Sequence, residues 1–524
     1  MAMRLEPKEI VKRADRADDR KEQWRTIYEE CYEFALPQRN LYSGYYEGKT
    51  PGQNKMVRVF DATAINSTQR FANRIQQALF PPYRNWCRLV AGNEVPDERK
   101  DEIAGALDIY TEKMFDVIRQ TNFDLAMSEF LLDLCVGTAV MLIQPGDDEA
   151  PVRFTSVPQY LVSLEEGPYG TIDNVYRKMR LRVDVIQRQW PDAKLPDALQ
   201  RMMENKPDEE VELLEATVWS NELGEYCYHL LYRQKREGSK TEDAHELVYR
   251  TMSVSPWIVA RYMKVAGEVY GRGPLVTALP DIKTLNKVKE LVLKNASIAV
   301  AGVYTAADDG VLNPQNITIA PGAIIPVARN GGPAGESLKP LRSAADFNVG
   351  QLVINDLVMG IKKMLLDDTL PMDTQSARTA LEISARLSEL SSQMGAAYGR
   401  LVTECMMPLV NRILYVMDEK NLIDMPFKVD GQVIKAVPIS PLAQGQAMDE
   451  LKNVLEFAQI AQAVGPAGQV AINQERMLDY IVDKMAVPRD IINTEEERQQ
   501  VMMQMQQMMA MAQGQQPTEE TPDG

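Results

Sequence analysis

Two stretches of nearly equal length decide the fold, TALPDIKTLNKVKELVLKNASIAV (residues 277–300) and AADFNVGQLVINDLVMGIKKMLL (residues 344–366). Both have the periodicity of an α-helix, and at 1.5 Å per residue they would be ~36 Å and ~35 Å long. The chain between them, residues 302–343, is rich in Pro and Gly and favours short strands and turns. The pattern fits either a helical hairpin with a small β-containing tip or an ordinary helix pair in a globular core. For the hairpin, antiparallel packing of the two helices is the simple expectation.

The chain before residue 274 mixes helical and strand-like patterns. Helical periodicity covers residues 7–35, 61–80, 97–121 and 123–136, with Asp61 as a plausible N-cap. Strand-like runs follow Gly137, namely TAVMLIQ, VRFTSV, VYRKMRLR, LLEATVWS, YCYHLLYR and WIVARYMKV, with helical patches at 183–190 and 195–204. The predicted fold class is therefore α+β and predominantly helical.

The chain after residue 366 is mostly helical. A short acidic loop, DDTLPMDT (residues 367–374), precedes a long helix from about 376 to 420 that includes Gly395 and is predicted to kink at Pro408. Further helices are predicted at 443–464 and 470–485. The tail from Thr494 fits either a helix that packs against copies of itself or a frayed, partly disordered terminus.

Charge and composition limit the classes of function that the chain can have. The chain has 74 acidic and 58 basic residues, a net charge of −16, so it lacks the excess of Lys and Arg with which proteins usually grip DNA. No apolar run approaches the ~20 residues that span a bilayer, and the charged N-terminus lacks a signal-peptide core. We therefore expect no membrane association, and any contact with nucleic acid should be local or weak.

Motifs for catalysis are absent from the sequence. His229 lies in a strand-like run and His245 in a charged segment, TEDAHEL, predicted to be a loop; neither has metal-ligand spacing. There is no phosphate-loop motif, and the nearest glycine-rich segment, residues 271–274, ends in a proline that removes an N–H donor. The five cysteines are widely spaced and are predicted to be reduced and buried. No cofactor, metal site or catalytic residue is predicted.

Paired acids keep one enzymatic alternative open. They occur at Asp147-Asp148, Asp308-Asp309 and Asp367-Asp368, each where a turn or helix end is expected, so solvated turn acids are the expectation. A metal-dependent nuclease would need several carboxylates that converge on two metal ions. A non-enzymatic structural subunit of a larger assembly is the leading interpretation; the alternatives are such a nuclease or another internal or scaffold component of such an assembly.

Four segments carry a family resemblance. They are LPQRN through FDATAINSTQRFANRIQQALFPPYRNWCRL (36–89), GEVYGRGPLVTALPDIKTLNKVKELVLKNASIAVAGVY (267–304), QSARTALEISARLSEL (375–390) and PISPLAQGQ (438–446). In this order they resemble the portal proteins, or head-to-tail connectors, of short-tailed, T7-like bacteriophages. The resemblance implies a closed ring, typically of twelve subunits, at one vertex of the capsid.

The resemblance also implies a division of the chain into functional parts. These are a wing (1–273), a first stem helix (274–301), a clip (302–343), a second stem helix (344–366), a tunnel loop (367–376), a long helix that returns to the wing (377–440), a helical crown (441–493) and a C-terminal tail (494–524).

The implied partners follow from these parts. They are other copies of the chain, a terminase packaging motor, a tail adaptor at the clip, scaffold and major capsid protein at the wing, internal core proteins at the crown, and double-stranded DNA bound without sequence specificity. The implied location is the unique vertex of the virion, after assembly in the host cytoplasm.

Candidate site residues come from the same resemblance. The cations expected to touch the DNA backbone are Lys283, Lys287, Lys294, Lys362, Lys363 and Arg378. The tunnel loop facing the DNA would comprise Asp367, Asp368, Thr369, Leu370, Pro371, Met372, Asp373 and Thr374. For each cation the alternative is a salt bridge to a neighbouring helix or a solvated charge. A wall that is acidic or neutral with sparse cations would let DNA slide, whereas strong phosphate binding would act as a brake.

Overall fold

The structure is a computed structural model. It describes residues 5–39, 56, 58–92, 95, 97–235, 242–301, 304–306, 338–340, 347–367, 394–423, 434–463, 473, 477, 478, 480, 481 and 503.

The α-helices are α1 (Pro7–Glu22), α2 (Arg25–Ala35), α3 (Thr63–Leu79), α4 (Asp97–Arg119), α5 (Phe123–Val136), α6 (Val183–Gln189), α7 (Asp197–Asn205), α8 (Pro274–Ala301), α9 (Phe347–Met364), α10 (Ala396–Leu401), α11 (Met407–Glu419) and α12 (Pro441–Ala463). The strands are β1 (Cys87–Ala91), β2 (Thr138–Pro145), β3 (Val152–Val157), β4 (Val162–Glu166), β5 (Ile172–Arg182), β6 (Glu210–Ser220), β7 (Glu225–Lys235), β8 (Glu242–Met252), β9 (Trp257–Arg261), β10 (Tyr304–Ala306), β11 (Leu338–Pro340) and β12 (Ile434–Pro438).

The chain forms two compact units. The first comprises Met1–Tyr83, Met114–Ala377 and Ser392–Met425, and the second comprises Arg84–Lys113, Arg378–Ser391 and Pro426–Gly524. Helices and strands are both abundant in the described ranges, so the α+β class is confirmed. None of the helices in these ranges combines the length and apolar character that a membrane-spanning segment requires.

A five-stranded antiparallel sheet of order β4-β5-β6-β7-β8 forms one part of the first unit. Successive residues of a strand point to opposite faces, so Leu213 and Leu214 of β6 belong to different clusters. The cluster of Leu213 packs α6 and α7 onto one face through residues such as Trp190. The cluster of Leu214 packs α1 onto the other face through Ile10 and Ala14. The sheet is therefore covered on both sides.

Strand β8 corrects the prediction for the segment around His245. This segment is a strand, in which His245 pairs with Tyr232 of β7, and the predicted loop is wrong. An edge strand accepts charged side chains because one of its sides has no neighbouring strand. The charged composition of this segment is therefore like that of a loop. The alternation of β8 is also interrupted, because its register against β7 shifts between Leu230 and Leu231.

A smaller antiparallel sheet of order β3-β2-β9 lies beside α5. Its central strand β2 is buried along Thr138–Ile143, and a buried core helix, α5, precedes it directly. All six strand-like runs singled out in the sequence are strands in the structure. Strands β1, β4 and β8 were not predicted.

The predicted long helix from 376 to 420 is interrupted in its described part. Gly395 has φ +48°, a conformation outside the helix, and it precedes α10. A π-helical turn, Val402–Met406, then separates α10 from α11. Pro408 lies in the first turn of α11, where its missing N–H costs least, so the irregularity falls just before the predicted kink. Continuity through Gly395 was wrong, because this residue adopts positive φ.

The second unit contains a two-stranded antiparallel sheet. Cys87 of β1 pairs with Pro438 of β12, and the register continues to Ala91 opposite Ile434. Arg88 forms a two-point ion pair with Asp108 of α4, at 2.8 and 3.0 Å. Helix α12 begins three residues after β12. The predicted helix at 470–485 and the tail from Thr494 lie almost wholly outside the described residues.

Candidate functional site

Helices α8 and α9 pack against each other in antiparallel fashion. A Cβ placed on Gly350 would lie 3.6 Å from Val292 Cγ2, and one on Gly360 would lie 3.7 Å from Asp281 Oδ2. From Gly350 to Gly360 the chain advances ten residues along α9, while the facing residue on α8 moves back eleven, from Val292 to Asp281. The two helices are therefore antiparallel, as predicted. At both glycines an added Cβ would make only an ordinary van der Waals contact, so the packing of the two helices does not require glycine there.

A short antiparallel strand pair continues this helix pair. Strand β10 follows α8 after two residues, and β11 pairs with it from Tyr304 opposite Pro340 to Ala306 opposite Leu338. Within the described residues, the arrangement is a helical hairpin whose far end carries strands. The rest of the predicted clip, residues 302–343, lies outside the described residues.

The root of α8 is packed tightly against the turn between α5 and β2. Gly271 N donates to Thr138 Oγ1 at 2.8 Å, and Gly273 N donates to Val136 O at 2.9 Å. A Cβ on Gly273 would lie 2.0 Å from Cys135 O, a distance no side chain could occupy. The glycine-rich segment before α8 therefore serves backbone packing.

Helix α3 is attached to the middle of α8 at its first turn. Asn286 Oδ1 accepts hydrogen bonds from Phe60 N at 2.9 Å and Asp61 N at 3.1 Å. The N-cap of α3 is Ala62, one residue after the predicted Asp61. Asp61 accepts a hydrogen bond from Thr63 N at 2.7 Å and forms an ion pair with Lys289. Burial opposes ionisation of Asp61, but the hydrogen bonds from Lys289 and Thr63 outweigh it and lower the pKa of the carboxyl.

The last turn of α9 ends in a tight reversal. Leu366 has φ +56°, while its N–H donates to Lys363 O at 3.2 Å and the N–H of Asp367 donates to Lys362 O at 2.7 Å. This is a Schellman motif with leucine in the position that glycine usually occupies. A left-handed conformation costs a non-glycine residue about 1–2 kcal/mol, so neighbouring contacts must hold it.

Those contacts come from α3. The Asp367 carboxylate accepts a hydrogen bond from Ser67 Oγ at 2.9 Å and pairs with Arg70 Nη1 at 3.3 Å and Arg74 Nη2 at 3.5 Å. Arg74 also donates to the Leu366 carbonyl oxygen. We call this group, Ser67, Arg70, Arg74, Leu366 and Asp367, the α3 anchor. The Asp367 side chain is 1% exposed, so the expectation of a solvated acid at this position was wrong.

Sequence reasoning missed the residues of α3 that build this anchor. Ser67, Arg70 and Arg74 are spaced i, i+3 and i+7, which places them on one face of a helix. A polar stripe of this spacing along a helix with an otherwise apolar face was the available signal. Its partner could not be read from the sequence, because Asp367 lies about three hundred positions away.

The lysines of α8 that were predicted to contact DNA are all paired with carboxylates. Lys283 Nζ lies 2.7 Å from Glu30 Oε1, and Lys287 and Lys294 lie 3.0 and 2.5 Å from the Glu290 carboxylate. Hydrogen bonds from Lys294 and Lys287 lower the pKa of Glu290. This face of α8 is therefore a mixed charge network with a small net positive charge. Its assignment to the DNA channel stays a prediction.

The remaining candidates lie at the end of α9 and beyond it. Lys362 is half-buried and Lys363 is exposed, and neither has an ion-pair partner in the described part of the chain. Arg378 and the tunnel-loop residues 368–374 lie outside the described residues. Of the predicted loop, only Asp367 is therefore placed, and it belongs to the α3 anchor.

Reactive groups are sparse in the described ranges. Within them, no group of three or more His, Cys, Asp or Glu side chains could hold a metal ion. His229 is buried in β7 with Nδ1 2.7 Å from Glu246 Oε1. The five cysteines are free and buried, as predicted, and burial raises the pKa of Cys31 and Cys405 to about 12. These thiols stay protonated and therefore poorly nucleophilic.

Comparison with known proteins gives a consistent result. Residues 7–492 match the family model described as bacteriophage head to tail connecting protein. The chain is 22% identical over 507 residues to the portal protein of Enterobacteria phage T3, covering 94% of this chain and 89% of that protein. It is 22% identical over 472 residues to the portal protein of Escherichia phage T7, with 87% and 83% covered. A probable portal protein of Bordetella phage BPP-1 is 23% identical over 507 residues, with 91% and 86% covered.

One solved structure aligns over much of the length at low similarity. It is the virion of a native gene transfer agent particle, with 11% identity, 82% of this chain and 94% of that chain covered, and a TM-score of 0.34. A TM-score at this level does not define a shared fold.

Proposed function

This chain belongs to the family of bacteriophage head to tail connecting proteins, and from that premise we propose that it is the portal subunit of a virion. The observation that carries the proposal is the extent of the match, residues 7–492, which runs through both compact units. The portal protein of phage T3 aligns over a similar extent. The family is structural, and neither its members nor the described residues support the nuclease alternative.

Copies of the chain would close into a ring of about twelve subunits around a central channel. Ring closure needs heterologous interfaces, in which one face of a subunit contacts a different face of the next. The antiparallel pair α8 and α9 suits a channel wall because two long helices packed side by side give a stiff element. We assign the stem to residues 274–301 and 344–366, and the clip to residues 302–343.

Double-stranded DNA would pass along this wall without sequence-specific binding. The charge network of α8 supports this, because Glu290 offsets its two lysine neighbours and leaves little net attraction for phosphate. Lys362 and Lys363, which have no ion-pair partner in the described part of the chain, are the stronger candidates for transient phosphate contacts. The tunnel loop would begin at the α3 anchor.

The other parts of the chain would contact the rest of the particle. We assign residues 1–273 to a wing that meets scaffold and major capsid protein, and residues 441–493 to a crown that meets internal core proteins. A tail adaptor would bind the clip, and a terminase motor would dock at the same vertex during packaging. Assembly would take place in the host cytoplasm.

The test is the mass of the purified full chain in solution, together with negative-stain images of the same sample. A ring of about twelve subunits with a central hole is expected. A protein that stays monomeric alone and also when scaffold and capsid protein are added would contradict the proposal.

A further inference from the structure

A cavity of about 700 Å³ lies in the first unit, between the sheet β3-β2-β9 and the short helix α6. Four arginines line it, Arg153, Arg188, Arg250 and Arg412. We call it the arginine cavity. Four cations around one cavity are unusual in a chain whose net charge is −16. The portal function proposed above gives this cavity no role.

Two of the four arginines already have carboxylate partners. Arg250 forms a two-point ion pair with Asp192, with Nε 3.1 Å from Oδ2 and Nη2 2.6 Å from Oδ1. Arg153 pairs with Asp147, which itself lines the cavity. These two cations are largely neutralised, so the unbalanced positive charge of the cavity comes from the other two.

Arg412 is the unusual member of the set. Its side chain is 3% exposed, yet it forms no ion pair within the described part of the chain. Its Nε donates to Ile143 O at 3.3 Å and its Nη1 donates to Val254 O at 3.2 Å, while the guanidinium lies 4.9 Å from the centre of the Tyr415 ring. Burial lowers its pKa to about 10. The exposed Glu419 counters this burial only in part and forms no ion pair with Arg412 in the described residues, so a carboxylate that reached the guanidinium would relieve the remaining cost.

Arg188 provides the second unbalanced charge. It lies on α6 at the rim, is exposed, and has no ion-pair partner in the part of the chain that the structure describes. The walls between rim and floor include the buried side chains of Trp190, Tyr228 and Leu142. An entering group would therefore meet an exposed cation first, then an apolar surface, and finally a buried cation.

We propose that the arginine cavity binds an acidic segment of another protein chain, with one carboxylate paired to Arg412 or Arg188 and an adjacent apolar side chain against Trp190. The phosphates of a DNA duplex lie on a wide, stiff backbone and cannot enter a cavity to reach a 3% exposed guanidinium. A glutamate or aspartate side chain can, and arginine pairs with carboxylates at two points. The volume exceeds that of one carboxylate several times, which leaves space for the neighbouring apolar side chain. The site is formed by one chain and does not depend on ring closure.

The experiment uses the purified full chain and blocked tripeptides in isothermal titration calorimetry. A Leu-Glu-Leu peptide is expected to bind about tenfold or more tightly than Leu-Gln-Leu, because a hydrogen bond to a charged group is stronger than one to a neutral group. Arg188→Gln should weaken binding of the acidic peptide by about tenfold. Arg180→Gln is the matched control, since Arg180 is exposed, pairs with Glu212 and lies outside the cavity, so it should leave the affinity unchanged.

Three results would overturn the proposal. Equal binding of the Glu and Gln peptides would show that the apolar walls alone bind ligand. Inorganic phosphate that displaces the peptide at equal concentration would make the cavity a small-anion site. Unchanged affinity in both Arg188→Gln and Arg412→Met would place the peptide elsewhere. Arg188 is exposed and its substitution should not impair folding, so the test does not depend on the buried variant.

Discussion

At the end of α9, the buried carboxylate of Asp367 is paired with two arginines of α3, whereas in the arginine cavity the buried guanidinium of Arg412 donates to two backbone carbonyls and forms no ion pair within the described part of the chain. Both side chains belong to the first unit, and both are almost inaccessible to solvent. The first charge is paired within the fold itself, whereas the second is countered only in part, by Glu419 beyond ion-pair distance. A compensated charge stabilises a local geometry, while an uncompensated one is a place where a ligand can gain affinity.

Removing Asp367 should have the largest effect on stability. Asp367→Ala leaves Arg74, which is 14% exposed, without its carboxylate and removes support from the left-handed Leu366. We expect a loss of about 3 kcal/mol in the free energy of unfolding, toward the low end for breaking a buried pair because Arg70 is 60% exposed. Urea unfolding at fixed protein concentration measures it. Asp148→Ala, an exposed acid, is the control and should change stability by less than about 0.5 kcal/mol.

Asp133 carries a third buried charge, and the fold compensates this charge only in part. Asp133 is 1% exposed and hydrogen-bonds to Tyr32, and burial, opposed by the charge of Arg39, raises the pKa of its carboxyl to about 6. Because the folded state holds this proton more tightly than the unfolded state, the contribution of Asp133 is most favourable below pH 4. It should decline as pH rises to about 6, by at most about 3 kcal/mol, and stay constant above that.

The measurement is the difference in unfolding free energy between the wild type and Asp133→Asn at several pH values. That difference isolates Asp133 from other carboxylates, such as Asp61, whose lowered pKa gives the opposite trend at lower pH. A difference that does not change between pH 4 and 6 would contradict the raised pKa.

Substituting Arg412 should affect folding much less than substituting Asp367. Arg412→Met removes an uncompensated buried charge, which is favourable, but leaves the carbonyls of Ile143 and Val254 without this donor, which is not. We expect these effects to offset each other to within about 1 kcal/mol. A loss as large as that of Asp367→Ala in the same urea assay would show that Arg412 is chiefly a structural brace for those carbonyls.

The smallest effect on stability is expected for the charges proposed to contact DNA. Lys362→Gln with Lys363→Gln should change the unfolding free energy by less than about 0.5 kcal/mol and leave ring formation intact. DNA packaging and retention in assembled heads should nevertheless fall. The matched control is Lys287→Gln with Lys294→Gln, whose charges are already offset by Glu290. Unchanged packaging in the Lys362 and Lys363 double variant would end their assignment to the channel.

Periodicity in the sequence predicted the local elements well. The two helices of the hairpin, their antiparallel packing and six of the strands followed from spacing and from Pro and Gly alone, because these are properties of neighbouring residues. The buried cysteines followed from their isolation in the sequence. The family was recognised from four segments spread along the chain, one of which includes the first helix of the hairpin.

Contacts between distant parts of the chain were beyond this reasoning. Asp367 looked like a solvated turn acid, because nothing near it in sequence shows that Arg74 lies beside it. The pairing of Lys283 with Glu30 was hidden for the same reason. The strand around His245 was missed because its charges suit an edge position, which only the neighbouring strand reveals. In each of these cases the environment of the residue depends on contacts with residues that are far away in the sequence.

Two ion pairs connect the hairpin with α3 and the residues just before it, namely Asp61 with Lys289 and Arg74 with Asp367. Because α8 and α9 run antiparallel, the Asp367 contact at the end of α9 lies beside the start of α8, whereas the Lys289 contact lies near the middle of α8. From Lys289 to Ala301, a distance of ~18 Å at 1.5 Å per residue, α3 gives no such support within the described residues. Mechanically, the hairpin is a beam that α3 supports along the first part of α8, and its strand-bearing end has no such support within the described residues. A load applied at its strand-bearing tip would bend it most about the support nearest the tip, and of the two ion pairs named here that is the Lys289–Asp61 pair.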